Sequence, residues 1–448
     1  MRRRDLQEGR GEENVRRTHL PVLIVLSKAL RHLTQILGNC VRAATLLGVF
    51  CTPGSATQPA LEIASFHEVD PTGEKDSSAG IARAVANGGR KLIFPCGVFV
   101  IGQAVRLPSH TEIAGSGPCT VLKLADNVQG NNNWGDMPAL RRPRTMPGNI
   151  FTNADFLRGN EDIKIHDIVL DGSSGTGGRT IVHLLAFYKQ KGAVIERVIF
   201  IGSGTPDIQD GVAFIASSNY LAANNYVFNV WNACFDQWDG SHDFRIEKNF
   251  CDGNGKAHGG IFVNGLDSMH ASKTTYNGSI VANVILRVQN AGVYVAGLWN
   301  ESKIAPTYGV VRNINVERNI IKEVSAFHGI IISDGDGITV TSNKVLHVAH
   351  QGIRVGSQFR GATSSILVKD NLIEDASRAP VKDDAIRVTN EALNVTISGN
   401  VVGPGAHRCA IGIDANVSDA RISYETGILY AGSTGELCDR RVGSVAAP

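Results

Sequence analysis

The residues best suited to chemistry lie in one short segment, Ala233–Asp243 (ACFDQWDGSHD). Asp236 stands in a strand-like part of that segment, where an Asp is disfavoured unless it has a role. Asp239 follows it closely, and Asp210 lies upstream. Two carboxylates placed together can divide the roles of acid and base in sugar hydrolysis. We therefore predict that Asp236, Asp239 and Asp210 are catalytic.

Polar and aromatic residues around these carboxylates predict a sugar-binding surface. His258 is predicted to assist catalysis by proton exchange, and the Trp238 ring could stack on a pyranose face. The predicted substrate-binding residues are Trp238, Asn264, Tyr294, Arg354 and Arg387. The structural alternatives are that Trp238 packs under a loop, that His258 is an ordinary turn residue and that Asp239-Gly240 forms a turn.

A short repeated phrase predicts the elements that position these residues. Its copies are GGIFVN (Gly259–Asn264), AGVYVA (Ala291–Ala296), HGIIIS (His328–Ser333), QGIRVG (Gln351–Gly356), DAIRVT (Asp384–Thr389) and CAIGID (Cys409–Asp414). A second phrase with an internal Asn lies between them, at Asn249, Asn319, Asn343, Asn371 and Asn400. Both phrases alternate apolar with variable residues, which indicates strands with one buried face.

Units this short cannot bury their apolar faces alone, but a stack of them can. We therefore predict an all-β chain that forms a right-handed parallel β-helix of about ten coils, with a β-sandwich as the alternative. If Ile261, Val263 and Phe235 point inward, Asp236 and Asn264 point outward. The other predicted substrate-binding residues share that outward face, which would form a groove for an extended polymer.

The ends of the chain predict export and a single large domain. Val41–Phe50 is a short apolar run followed by small residues, so residues 1–56 resemble a secretory leader, with cleavage before Thr57. A cytosolic chain with an amphipathic N-terminal helix is the alternative. We predict a β-helix domain over residues 57–422 and a tail over 423–448 that packs on the last coil. The predicted location is secreted or periplasmic.

Charge and cysteine content narrow the partners. Without the leader the chain has 35 basic and 38 acidic residues, so a polybasic nucleic-acid or membrane binder is not expected. No apolar run is long enough to span a membrane. Six cysteines remain, and we predict the disulfide Cys96–Cys119 and a link from Cys409 to the tail through Cys438. Zinc spacing is absent and no metal site is predicted, although a Ca²⁺ requirement stays open.

The stretch Asp70–Leu124 resembles the start of pectate-lyase-superfamily domains, which carry D-x-T/D-G-x-x-D-[ST], FPxGxY and LxGxG motifs. The matching residues are Asp70, Gly73, Asp76, Ser77, Phe94, Pro95, Gly97, Gly115 and Gly117. The resemblance covers about residues 66–423 and implies a capping helix near Ser77–Ala86 ahead of the coils. That superfamily contains lyases, hydrolases, epimerases and phage tailspikes.

Two groups within that superfamily suggest an activity. FDQWDG resembles the F-D-P-H motif of alginate C5-epimerases at Asp236, whereas Trp238 replaces the His. Polygalacturonase-type hydrolases carry N-T-D, D-D, G-H-G and R-I-K motifs, and Asp210, Asp236, His258 and Arg287 follow in that order. We predict a secreted enzyme that cleaves glycosidic bonds of an acidic polysaccharide as a lyase or hydrolase. The alternatives are a C5-epimerase and a non-catalytic glycan-binding adhesin. No cofactor and no oligomeric state follow from the sequence.

Overall fold

The computed structural model describes residues 60–63, 68–126, 149–156, 158–175, 183–265, 274–297, 310–358, 363–389, 392–417, 419–422 and 435–441. The predicted leader, residues 1–56, lies outside this part of the chain. So do most of residues 127–159 and most of the predicted tail. Among the described residues, no helix has both the length and the apolar character needed to cross a membrane.

Three parallel sheets form the body of the described chain. The first sheet contains Ala60–Glu62, Lys91–Ile93, Glu112–Ala114, Lys164–His166, Val194–Glu196, Ser218–Ala223, His242–Glu247, Thr275–Val281, Val311–Glu317, Gly335–Asp336, Thr339–Thr341, Thr363–Lys369, Ala392–Ser398 and Asp419–Ile422. The second contains Thr72–Asp76, Gly97–Ile101, Thr120–Leu124, Val169–Asp171, Ile199–Ile201, Tyr226–Phe228, Phe250–Asp252, Val284–Val288, Ile320–Val324, Lys344–Val348, Leu372–Glu374 and Val401–Val402. The third contains Val105–Leu107, Phe151–Asn153, Leu185–Tyr188, Val212–Ile215, Ala233–Trp238, Gly259–Asn264, Ala291–Ala296, His328–Ser333, Ile353–Val355, Ile386–Val388, Cys409–Ile413 and Gly435–Asp439.

Each coil contributes one strand to each sheet in turn, and each strand pairs in parallel with its counterpart one coil away. In the third sheet, for example, Phe235 pairs with Ile261, which pairs with Val293. Connections between parallel strands of one sheet are almost always right-handed. The predicted right-handed parallel β-helix is therefore confirmed. The second and third sheets each have 12 strands, slightly more than the predicted number of coils.

The interior follows the predicted inward register. Ile261, Val263, Ile353, Val355 and Phe235 are all fully buried. Beside this apolar core, stacked asparagines form a ladder at the turn between the first and second sheets. Its members are Asn225, Asn249, Asn283, Asn319, Asn343, Asn371 and Asn400, and each Nδ2 donates to Oδ1 of the next at 2.9–3.0 Å. The ladder satisfies buried turn groups that would otherwise be costly.

One helix, Ser78–Val85, covers the first coil, as the capping motif predicts. Ser77 occupies the N-cap position, but its hydroxyl bonds to Asp70, and Oδ1 of Asp76 accepts the N–H of Ser78 instead. Ile81, Ala84 and Val85 of the helix are buried. The helix therefore shields an edge that would otherwise be open to pairing.

Three disulfides join the cysteines of the described chain: Cys96–Cys119, Cys234–Cys251 and Cys409–Cys438. Their Cα atoms are 4.7, 6.0 and 6.0 Å apart, within the usual range. The first and third are the predicted pairs. The third holds the strand Gly435–Asp439, part of the predicted tail, against Cys409–Ile413.

Candidate functional site

Asp236 lies on the outer side of the third sheet. Its strand, Ala233–Trp238, turns Phe235 and the carboxylate of Asp236 to opposite sides, because successive side chains alternate. In register with Asp236 is the outward row Ala213, Asp236, Phe262, Tyr294, Ile331, Arg354 and Arg387. Although it faces outward, Asp236 is only 8% exposed. Nδ2 of Asn264, in the next strand, donates to Oδ1 of Asp236 at 3.0 Å.

Asp210 is the second carboxylate of the site, just before the strand Val212–Ile215. One oxygen accepts the backbone N–H of Ala233 and the side-chain amide of Asn232, both at 2.9 Å. The other lies 2.7 Å from Nδ1 of His183. That nitrogen is not aligned for a hydrogen bond, so a ring rotation would be needed to complete one. Asp210, Asp236, His183 and Asn264 form what we call the carboxylate site.

The charge of Asp210 acts on the carboxyl group of Asp236. Burial raises the pKa of Asp236 well above its usual range, and the charge of Asp210 raises it further. The amide of Asn264 acts in the opposite direction, because it donates to the carboxylate. Asp236 therefore keeps its proton to a higher pH than an exposed Asp would. A protonated acid beside a second carboxylate is the arrangement that a glycosidase uses.

Trp238 and Asp239 follow Asp236 in the chain, but their neighbour in the adjacent coils is Tyr188. Trp238 is partly exposed and pairs with Ile215, which pairs with Tyr188 one coil earlier. Asp239 is buried at a turn with φ +58°, and its charge adds to burial in raising the pKa of Tyr188 to about 12. The turn interpretation of Asp239-Gly240 matches this geometry, since Gly240 also has a positive φ of +85°.

His258 does not reach Asp236. It precedes Phe262, the register partner of Asp236, by four residues, which is roughly 13 Å along a strand. Its ring instead lies 5.1 Å from that of Trp231. The histidine at Asp210 is His183, which the sequence interpretation missed. The strand register could have found it, because Leu185 pairs with Val212 and so places His183 level with Asp210.

The far part of the outward row contains the two predicted arginines, which differ in their pairing. Arg387 bonds to Asp383 and Asp414, so its charge is already compensated. Arg354 has no ion pair with any described residue, and its Nη1 is buried without a hydrogen-bond partner there. Burial and the neighbouring Arg387 lower its pKa. Arg354 is four coils from Asp236, roughly 19 Å at the usual strand spacing.

Aromatic residues and a neutral histidine accompany Arg354. The rings of Phe262 and Tyr294 lie 5.6 Å apart, edge to face, between Asp236 and Arg354. Burial, Arg354, His350 and Arg387 lower the pKa of His328 to about 3, so this ring is uncharged at ordinary pH. The sequence interpretation missed His328. The outward row thus continues from Asp236, across two aromatic rings, to a cation that has no ion pair with a described residue.

A metal centre is not supported at the one described cluster with suitable ligand types. Asp384, Cys409 and Cys438 bring their ligand atoms within 4.8 Å of one another. The two cysteines form a disulfide, however, and Asp384 bonds to Arg408 and Arg440. These groups are therefore engaged in holding the last coil together.

Comparison with known proteins yields structural relatives only. No protein-family model matches the chain, and no curated protein matches it. The A-module of mannuronan C-5 epimerase AlgE4 from Azotobacter vinelandii is similar with a TM-score of 0.63 and 16% identity, covering 86% of this chain and 100% of that one. The surface protein and adhesin PfbA of Streptococcus pneumoniae gives a TM-score of 0.61 and 14% identity, covering 86% and 100%.

A third relative is a hyperthermoactive exopolygalacturonase from Thermotoga maritima, with a TM-score of 0.53 and 14% identity, covering 79% of this chain and 88% of that one. Identities this low establish a shared fold and nothing finer. The relatives have different functions by their names, an epimerase, an adhesin and a hydrolase. By its fold, the chain is a right-handed parallel β-helix protein.

Proposed function

We propose that the chain is an exported enzyme that hydrolyses glycosidic bonds of an acidic polysaccharide laid along the third sheet. The observation that carries this proposal is Asp236, which is buried on the outer side of the third sheet and held by Asn264, with Asp210 three residues before its register partner Ala213. Burial and the charge of Asp210 raise the pKa of Asp236. Lyase and epimerase chemistry on a uronate begins with removal of the C5 proton by a base, a role that a protonated Asp236 cannot take. The three disulfides support export, because such bonds persist in oxidising compartments.

In this mechanism Asp236 donates its proton to the oxygen of the departing sugar. Asp210 accepts a proton from water, which attacks the anomeric carbon as the glycosidic bond breaks. Asn232 and the backbone N–H of Ala233, each 2.9 Å from Asp210, orient that carboxylate. A rotation of the His183 ring, 2.7 Å away, would let it take the proton onward. Asn264 holds the Asp236 carboxyl in place through its 3.0 Å bond. Phe262 and Tyr294 offer ring faces or edges to the neighbouring sugars.

A panel of acidic and neutral polysaccharides incubated with the full chain tests the proposal. Hydrolysis would release reducing ends without unsaturated sugars. Release of unsaturated products would contradict hydrolysis in favour of a lyase, and inverted C5 stereochemistry without shortening would favour an epimerase. Binding with no chemical change across the panel would favour the adhesin alternative, which the similarity to PfbA keeps open.

We expect Asp210→Asn to move the alkaline limb of the pH–rate profile toward lower pH. The charge of Asp210 helps to raise the pKa of Asp236, and its removal leaves burial as the remaining cause. Since a general acid must be protonated, activity falls as pH rises through its pKa, so a lower pKa brings the fall earlier. The readout is the pH at which kcat/KM of the residual activity falls on the alkaline side, irrespective of how large that activity is. If the alkaline limb of the profile does not move, the charge of Asp210 does not raise the pKa of Asp236.

We expect Arg354→Ala to raise KM for an acidic polymer about tenfold, with little change in kcat, because a uniform binding contact is lost. The effect should shrink as salt screens the charges. Arg312→Ala is the matched control, since Arg312 is exposed on the first sheet. If a neutral polymer is the substrate, Arg354→Ala and Arg312→Ala should behave alike, which would contradict the acidic-substrate part of the proposal.

A further inference from the structure

The outer side of the second sheet has one row that is almost wholly apolar and one in which apolar and charged residues are mixed. Two outward rows run from coil to coil there, and their inward neighbours, such as Phe200, Val227 and Ile285, are buried. The first row includes Ile199, Tyr226, Phe250, Val284, Ile320 and Leu372, in register. The second includes Ile201, Phe228, Leu286 and Leu346. These two rows are called the second-sheet face.

Solvent reaches this face in the described chain. Its row residues are mostly partly exposed, and Ile320 is 37% exposed. The outer side of the first sheet differs, because polar residues such as Arg245, Ser279, Asn315 and Thr339 follow one another there. The exposed side of a sheet in this protein can therefore be polar, and the apolar residues distinguish the second-sheet face from the first sheet. A contiguous apolar patch of this kind marks a contact surface.

The dimensions of the second-sheet face suit a moderate protein interface. From Val98 to Val401 the first row spans ten coil-to-coil steps, roughly 48 Å at the usual strand spacing. The two rows lie roughly 7 Å apart. With the width of the side chains added, the area of the face is on the order of 600 Å². Specific interfaces bury about 800 Å² on each partner, with smaller ones common.

The few charges of the face suggest what covers it. Lys123 lies in the second row four coils before the central Phe250–Asp252 strand, and Glu374 lies in the same row four coils after it. Asp171 and Lys344 lie three coils before and after that strand. A twofold axis parallel to the strands, through the central coil, therefore brings Lys123 opposite Glu374 of a second copy. Asp171 then lies close to the second copy's Lys344, diagonally across the two rows, while the first row, apolar except at Lys344, meets the first row of the second copy.

The remaining charges do not oppose this arrangement. Asp252, at the centre, meets Asp252 of the second copy, but Arg287 of its own chain compensates the charge of each. Lys322 lies 3.5 Å from Glu323, and its long stem can cover apolar surface while its charge stays in water. A twofold axis along the coil direction would instead bring each charged side chain near the same side chain of the second copy, and like charges repel. We propose that the second-sheet face pairs two copies of the chain with their coil axes antiparallel.

Such a dimer leaves the carboxylate site uncovered, because that site lies on the third sheet. The proposal is thus independent of the enzymatic function above. Sedimentation equilibrium of the full chain over a wide concentration range should give twice the monomer mass. A monomer at every concentration would overturn the proposal.

Substitutions on the face provide the specific test. Ile199 and Ile320 face each other across the axis, so Ile199→Glu with Ile320→Glu places like charges together and should abolish the dimer. The matched control, Ser279→Glu with Thr396→Glu, adds the same charges to the first sheet and should leave the dimer intact. Melting curves show whether each variant is folded. A dimer that survives the Ile199 and Ile320 changes would overturn the proposal.

Charge reversal then tests the orientation of the two copies. Lys123→Glu places two carboxylates opposite each other at two symmetric positions and should weaken dimerisation about tenfold. Glu374→Lys should weaken it similarly. The double variant restores opposite charges and should recover most of the affinity. Failure of that recovery would overturn the antiparallel arrangement, and with it the proposal.

Discussion

Asp236→Asn is expected to lower turnover about 100-fold or more, the scale of a lost general acid, while the melting temperature changes little. Asn has nearly the same shape as Asp and can keep the contact with Asn264 through an amide rotation. It cannot donate a proton to a leaving group. The pKa of Asp236 is raised in the folded chain, so its ionisation at higher pH weakens the fold. Removal of that ionisation should leave stability equal or slightly higher at such pH.

Asp239→Asn is the matched control for this experiment. It makes the same chemical change three residues later, at a buried turn whose charge acts on Tyr188 rather than on Asp236. We expect it to alter activity far less than Asp236→Asn does. Initial rates on a polymer that the parent chain degrades, with melting curves of both variants, give the comparison. Full activity of the Asp236→Asn chain would refute the assignment of the acid.

The sequence predicted the strands of this site well, because their signal is local. Alternation of apolar and variable residues fixes which side chains point inward, so Phe235 inward implied Asp236 outward, and the structure has this register. The capping helix and two of the three disulfides were likewise predicted correctly. Each of these features depends on neighbouring residues or on adjacent coils.

Features that depend on position along the strand were harder to predict. His258 occupies a coil next to Asp236, but four residues of strand separate it from the level of that carboxylate. His183 lies two coils away from Asp236 in sequence order, yet level with Asp210. The repeated phrase gives the order of coils, whereas contact also requires the register between them. Without paired strands, nothing in the composition distinguishes these two histidines.

Side-chain pairing across the interior was also beyond the sequence. Cys234 and Cys251 point inward from the third and second sheets, so their bond crosses the core rather than linking adjacent strands of one sheet. Arg354 and Arg387 occupy equivalent positions in consecutive repeats, and only the surrounding carboxylates separate them. Asp383 and Asp414 compensate Arg387, whereas Arg354 has no such partner in the described chain. Equivalent repeats therefore have unequal chemistry.

The second large expected effect is the loss of folded protein when a charge enters the stacked core. Ile280 is fully buried in the strand Thr275–Val281 and pairs with Ile246 and Val316 of the adjacent coils. An Asp there would lie between the apolar side chains of Ile246 and Val316, and burial of an unpaired charge costs several kcal/mol. Single domains are stable by only about 5–15 kcal/mol, so Ile280→Asp should abolish soluble, folded protein.

Ser279→Asp is the matched control, because Ser279 precedes Ile280 in the same strand and points outward, where it is partly exposed. We expect this variant to fold and to melt within a few degrees of the parent chain. Soluble yield, circular dichroism and melting curves compare the two. In a solenoid the damage should not stay local, because each coil buries its apolar face only against its neighbours and an open coil exposes the next. If both variants were tolerated equally, the inward and outward assignments of this strand, and those of the strands in register with it, would be wrong.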